Sequence, residues 1–221
     1  MKALIVGNGS LENIDLLKKE AKKADFIICA DGGAGFLEKA SLLPHFLIGD
    51  FDSIDQGLLD FYRSKNVEII QHPTKKDFTD TELAIELALE KKARAISLIA
   101  VTGSRIDHSL SSLFLLKNLV EKKIDAKILS DCNEVYLLGP GESSIKFEKK
   151  NLSLNMDELI LSLLALSEKV EGIRTTGLSY PLVDACLKQG SSLGVSNRFS
   201  APSATIRIKK GFLYIILSKE I

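Results

Sequence analysis

Short apolar runs, separated by segments with helical spacing, set the rhythm of the first 130 residues. The runs are ALIVG (3–7), DFIICA (25–30), HFLIGD (45–50), VEIIQ (67–71), AISLIAV (95–101) and DAKILS (125–130). They are rich in Ile, Leu and Val and lack clean alternation, the pattern of strands covered on both faces. In TDTELAIELALEKK (79–92), Leu83, Ala84, Leu87 and Ala88 fall on one helical face, and Thr79 with Glu82 forms a capping-box start. IDHSLSSLFLLKNLVEKK (106–123) behaves likewise through Leu110, Leu113, Phe114 and Leu119 or Val120. Strand–helix repetition predicts an α/β domain over residues 1–131 with a parallel, helix-flanked, Rossmann-like sheet.

Beyond residue 131 the pattern changes. NEVYLLG, SSIKFE, DELILSLLAL, VEGIRTTG, ATIRIKK and FLYIILS are separated by Gly, Pro, Ser and Asn turns, which predicts a smaller all-β domain over 132–221. KKGF (209–212) between two apolar runs reads as a hairpin connection. DELILSLLAL is Leu-rich enough for a helix, but its flanking turn signals favour a strand. Residues 181–188 are the one stretch here with helical character.

Composition narrows the class. Hydrophobic residues make up 45% and charged residues 26% of the 221, and Lys plus Arg equals Asp plus Glu at 29 each. A formal net charge of zero argues against a wholesale electrostatic partner such as duplex DNA or an anionic membrane. Cys29, Cys132 and Cys186 are dispersed, without CxxC or a neighbouring His, and read as reduced buried thiols. The N-terminus carries too short an apolar stretch for a signal peptide, and no run approaches the ~20 residues that cross a bilayer. A cytoplasmic protein is expected.

In an open parallel sheet, ligands bind beyond the carboxyl ends of the strands. The residues following the apolar runs are Gly7, Asn8, Gly9 and Ser10; then Asp31, Gly32 and Gly33; then Gly49, Asp50 and Asp52. His72, Lys75, Lys76, Asp77 and Asp80 follow the fourth run, and Thr102, Gly103, Ser104, Arg105, Asp107 and His108 the fifth. Each has an ordinary reading too. GNGS is a plain strand-to-helix turn more readily than a dinucleotide loop, because Glu12 stands where GxGxxG needs its last glycine. Asp31, Asp77, Thr79 with Asp80, and Asp107 could cap helices.

Asp50 and Asp52 resist that treatment. In an extended segment their carboxylates share a face, with Phe51 turned inward to anchor the loop. Two hard oxygen ligands, joined by Asp77 or Asp80, suit Mg²⁺, which takes a few carboxylates plus phosphates and water. Lys75, Lys76 and Arg105 would supply positive charge for phosphates.

With ADGGAGFL (30–37), PHFLIGDFDSI (44–54), PTKKDFTDTELAIELAL (73–89), TGSRIDHSLSSLFLL (102–116), VEGIRTTGLSYPL (170–182) and GVSNRFS (194–200) in order, the chain resembles the thiamine pyrophosphokinase (thiamine diphosphokinase) family over nearly its whole length. The resemblance implies transfer of a pyrophosphoryl group from ATP to the thiamine hydroxyl, giving thiamine diphosphate and AMP. It also implies a β-sandwich-like second domain and a homodimer whose thiamine pocket lies where subunits meet. By matching positions, Asp50, Asp52, Asp77 and Asp80 form the Mg²⁺ and phosphate centre, with Asp50, Asp52 and Asp80 catalytic. Asp31, Gly32, Gly33, Lys76, Asp77, Gly103, Arg105, Asp107 and His108 line the ATP side, and Ser196 and Asn197 contact thiamine. Two positions depart from the family pattern: Gly35 stands where Asn is usual, and Ser104 where a second Gly is usual. With no Trp in the chain, Phe199 and Tyr180 are the rings available to stack on thiamine. The alternatives are a Mg²⁺-dependent phosphohydrolase, for which DFDSI imitates a nucleophile loop, a nucleotide sensor without chemistry, and a pyrophosphokinase acting on another alcohol such as a hydroxymethyl pterin.

Overall fold

The computed structural model describes residues 1–52, 54–73, 77–154 and 159–219. The chain forms two compact units, Met1–Leu115 with Lys123–Asp131, and Leu116–Lys122 with Cys132–Ile221.

The first unit runs β1 (Lys2–Val6), α1 (Ile14–Ala21), β2 (Phe26–Ala30), α2 (Ala34–Ala40), β3 (Phe46–Gly49), α3 (Gln56–Ser64), β4 (Glu68–Gln71), α4 (Asp80–Glu90), β5 (Ala95–Ile99), the start of α5 (Ile106–Glu121), and β6 (Asp125–Leu129). The strands pair in parallel in the order β6-β5-β1-β2-β3-β4. β1 and β2 are buried almost throughout, as their uninterrupted apolar sequences require. α4 begins where the capping signal placed it, with the Thr79 hydroxyl accepting from the Glu82 amide at 3.2 Å. α5 begins at the expected residue, and of the expected face Leu119 is buried, but Leu110 and Phe114 are 46% and 54% exposed while Ser112, Leu115 and Leu116 are inside instead. The helix carries two apolar stripes, and spacing alone does not say which one meets the core.

The second unit continues with β7 (Asn133–Leu138), β8 (Ser144–Glu148), β9 (Leu159–Ala165), β10 (Lys169–Thr176), β11 (Ala185–Lys188), β12 (Asn197–Arg198), β13 (Ser203–Arg207) and β14 (Leu213–Lys219). β12-β9-β14-β7 and β11-β10-β13-β8 are antiparallel sets. Leu161, Leu163, Ile215 and Leu217 from the first set share one core with Val170, Ile173, Ala204 and Ile206 from the second, which makes the unit a β-sandwich. DELILSLLAL supplies a strand, as its flanks predicted.

Three expectations need correction here. Residues 181–188 are not helical; Ala185–Lys188 is β11. KKGF is not a hairpin, because β13 and β14 belong to different strand sets. Its Lys209 and Lys210 amides instead bond to the Glu171 carbonyl of β10, and the chain leaves through Gly211 at φ +88°. Of the cysteines only Cys29 is fully buried; Cys186 is exposed.

Candidate active site

The strand order decides where the site lies. From β1 the chain moves outward to β2, β3 and β4, then returns to place β5 on the other side of β1. The loops after β1 and β5 therefore diverge, which opens a crevice at the carboxyl edge. A cleft of about 520 Å³ occupies that position. Asn8, Gly9 and Ser10 line it after β1, Asp31 after β2, Asp50 after β3, and Ala100 to Arg105 after β5; Asp80 comes from the start of α4 and His108 from α5.

The backbone is forced at this edge. Asp31, Phe51 and Ala100 all take positive φ, at 44°, 66° and 56°, although none is glycine. Each such residue costs ~1–2 kcal/mol, and strain of this kind gathers at functional sites. Close approach fixes Gly9, where a Cβ would stand 2.3 Å from the Thr102 carbonyl oxygen and 2.7 Å from that of Ala100. With Gly9 bare, the Ser10 amide donates to Thr102 O at 2.8 Å and ties the two diverging loops together. Behind the Asp31–Gly33 turn, the buried Tyr62 hydroxyl donates to the Ala34 carbonyl at 3.0 Å. The Cys29 thiol lies 3.7 Å from the Asp31 carbonyl. Burial, with the Asp31 charge adding to it, holds that thiol well above its usual pKa, so Cys29 braces the turn as a neutral group.

The structure brings together Asp31, Asp50, Asp80, Gly103, Arg105 and His108 from the expected set. Gly32 and Gly33 form the turn behind Asp31 and do not line the cleft. Asp52, Asp77 and Asp107 also stand outside the lining, and all three are exposed. Lys75 and Lys76 lie outside the described residues. Asp50 and Asp52 do not share an extended face. β3 stops at Gly49, Phe51 turns through positive φ into the core, and the Asp50 carboxylate accepts from the Asp52 amide at 3.1 Å. The inward Phe51 anchor is as expected; the parallel carboxylates are not, because the turn ends the pleat.

Arg105 enters the cleft already partnered. Its Nε and Nη2 donate to the two Asp107 oxygens at 3.2 and 2.6 Å. That fork, above all its hydrogen bonds, lowers the Asp107 carboxyl to about 2 and raises the guanidinium. Asp107 thus orients Arg105. The loop amides are committed as well: Gly9 and Ser10 donate to carbonyls, and Gly103 donates to the Ser109 hydroxyl at 3.0 Å. The groups in the lining able to meet an anion are side chains, Arg105, His108 and the hydroxyls of Ser10, Thr102 and Ser104. Asn8, Ser10 and Thr102, named in sequence as strand-end residues but given no role in the site, line the cleft as well; for Asn8 and Ser10 the strand-end signal was masked by the resemblance of GNGS to an ordinary turn, and Phe78 was not singled out.

Comparison with known proteins extends this picture over the second unit. Residues 17–128 match the family model described as thiamin pyrophosphokinase, catalytic domain, and residues 144–213 that described as thiamin pyrophosphokinase, vitamin B1 binding domain. The chain belongs to the thiamin pyrophosphokinase family. It is 30% identical over 193 residues to the thiamine pyrophosphokinase of Bacillus subtilis, covering 87% of each chain. The crystal structure of the Bacillus subtilis protein superposes with a TM-score of 0.86 at 28% identity over the whole of both chains. That of the Geobacillus thermodenitrificans protein gives 0.82 at 27%, covering 100% of this chain and 98% of that one.

The two departures from the thiamin pyrophosphokinase pattern are structurally mild. A Cβ at Gly35 would meet nothing within 4 Å, so the family's larger residue would point into open space. Ser104 keeps an ordinary negative φ and lines the cleft, where it adds a hydroxyl. In the vitamin B1 binding region, Asn197 is buried and its side chain is engaged by the Tyr180 backbone and by the Arg198 amide, which donates to Oδ1 at 2.9 Å. Oδ1 accepts from the Tyr180 amide at 3.0 Å, and Nδ2 donates to the Tyr180 carbonyl at 2.7 Å. Ser196 is exposed at φ 62°. Phe199 packs against the core beneath Lys149, while Tyr180 is exposed.

Asp31, Asp50 and Asp80, with neighbouring hydroxyls, offer the hard oxygens that Mg²⁺ takes. Among the described residues no three His, Cys, Asp or Glu side chains converge as a cage. The fit is to an ion shared with substrate phosphates and water.

Proposed function

We propose that the chain is a thiamine pyrophosphokinase that uses ATP and Mg²⁺ and transfers a pyrophosphoryl group to the hydroxyl of thiamine. The observation that carries this is the match of both family regions, in order, along one chain whose first unit holds an acidic, Arg-bearing cleft at the switch point.

In the reaction, the thiamine hydroxyl oxygen bonds to the β-phosphorus of ATP. The bond from that phosphorus to the oxygen bridging to the α-phosphate breaks, and its electron pair leaves with AMP. The hydroxyl proton passes to a cleft carboxylate and on to solvent. Arg105, held by Asp107, and His108 fix the phosphate chain, while Ser10, Thr102 and Ser104 offer hydroxyls to its oxygens. Phosphoryl transfer of this kind depends on positioning and charge stabilisation. Asp31, Asp50 and Asp80 would hold Mg²⁺, which when bound neutralises phosphate charge; Asp52 and Asp77, outside the lining, complete the proposed acidic set. Ser196 and Tyr180 would meet thiamine, and Asn197 would shape that contact by clamping the Tyr180 loop.

The proposal includes a cytoplasmic homodimer. Among the described residues no helix is long and apolar enough to cross a membrane. Ile106, Leu110 and Phe114 form an exposed apolar stripe on α5, which supports a protein contact.

The test is product analysis with purified protein, ATP, Mg²⁺ and thiamine, beside controls without thiamine and with EDTA. AMP and thiamine diphosphate in equal amounts, only with thiamine and metal, are expected. Phosphate release without thiamine would bring back the phosphohydrolase reading. Product from a hydroxymethyl pterin but not thiamine would change the acceptor.

A further inference from the structure

On the outer face of the β11-β10-β13-β8 sheet, two arginines stand directly opposite each other. Arg174 of β10 is the register partner of Arg207 of β13. Like charges placed so across an antiparallel pair repel, and sheets ordinarily avoid the arrangement. Both side chains are exposed, and neither guanidinium makes a hydrogen bond or ion pair among the described residues. They line a concavity of about 200 Å³ together with Lys209, Asp184, Glu142 and the backbone of Gly172. The stem of Lys209 crosses the spot that a side chain at residue 172 would fill: at φ +69°, a Cβ there would lie 2.5 Å from Cδ of Lys209. Lys209 in turn is held by Asp184, Nζ to Oδ1 at 3.1 Å.

The charge balance points to an anion. Three cations face two carboxylates, and one carboxylate is already paired with Lys209. Two forked guanidinium groups then remain against Glu142 alone. Guanidinium forks match tetrahedral oxyanions bidentately, and the concavity is smaller than the ~300–1,000 Å³ of ordinary ligand pockets. We propose that Arg174 and Arg207 form a binding site for a phosphate group, either inorganic phosphate or the terminal group of a phosphate monoester. This site belongs to the second unit and does not depend on the pyrophosphokinase reading. A bound dianion removes the repulsion between the arginines, and Glu142 tunes the site by competing for them.

The test is titration of the full-length, ¹⁵N-labelled protein with inorganic phosphate and, separately, glycerol 3-phosphate, at constant ionic strength. The Arg174 and Arg207 Nε–H resonances, assigned through R174Q and R207Q, provide the readout. Saturable shifts of both resonances are expected, with at least tenfold weaker binding once either arginine is replaced and tighter binding in Glu142→Gln. Stronger binding of the ester than of free phosphate would identify an esterified ligand, and equal binding would identify the free ion. Because the cleft can also take up phosphate, only shifts at these two arginines count. In a second measurement, R174Q in phosphate-free buffer should melt no lower than the parent and should lose the phosphate-dependent rise in Tm reporting on the second unit. Linear shifts matched by chloride, or saturation unchanged in R174Q and R207Q, would overturn the proposal.

Discussion

Tyr62→Phe removes one oxygen atom and leaves the ring. Tyr62 is fully buried in α3, and its hydroxyl donates at 3.0 Å to the Ala34 carbonyl, just behind the Asp31–Gly33 turn. The ring volume is kept, so there is no cavity to pay for; what is lost is the partner of a buried acceptor, at about 1–3 kcal/mol. Tyr62→Ala would add the cavity, for a total of about 3–5 kcal/mol or more. For a chain of this size each kcal/mol lowers Tm by about 2–4 °C. Thermal unfolding of the parent and the Phe variant, followed on the first unit, measures this directly. A second readout separates bracing of the turn from stability alone. If the hydroxyl holds the turn that presents Asp31 to the cleft, KM for ATP should rise by about fivefold per kcal/mol of turn stabilisation lost, with kcat less affected. A Tm within about 1 °C of the parent, together with an unchanged KM, would refute the bracing role and show that the Ala34 carbonyl finds another donor at little cost.

Three other outcomes follow from the same geometry. Gly9→Ala drives a Cβ against the Thr102 and Ala100 carbonyls; calorimetry should show a loss of about 1–3 kcal/mol, and titration should show weakened ATP binding as the two loops part. Asp50→Asn retains an oxygen acceptor for the Asp52 amide but removes the charge, so turnover should fall about 100-fold or more with the circular dichroism spectrum unchanged; full activity would exclude Asp50 from the reaction. The Asp107 carboxyl should titrate by NMR near about 2 and return toward ~3.9 in Arg105→Gln. Because its folded pKa is depressed, the stability contributed by the fork is present above the unfolded value and is lost as pH falls through the folded one.

Much of this molecule is written in local pattern. Uninterrupted apolar runs specify buried parallel strands, Thr79 and Glu82 specify where α4 begins, and the residues after each run name most of the cleft. These features depend on neighbours within a few positions, through backbone periodicity and capping. Tertiary structure decided the rest. It chose which apolar stripe of α5 is buried, because that depends on the surface the helix meets and not on its own spacing. It folded Asp50 back onto the Asp52 amide, because Phe51 gains more from the core than the loop loses by leaving the extended form. It separated β13 from β14, because each found a better partner in a different strand set than in its sequence neighbour. It also placed β5 beside β1, so that residues near 8 and residues near 103 face one cleft. That choice rests on pairing between segments some 90 residues apart, and no local window of sequence contains it.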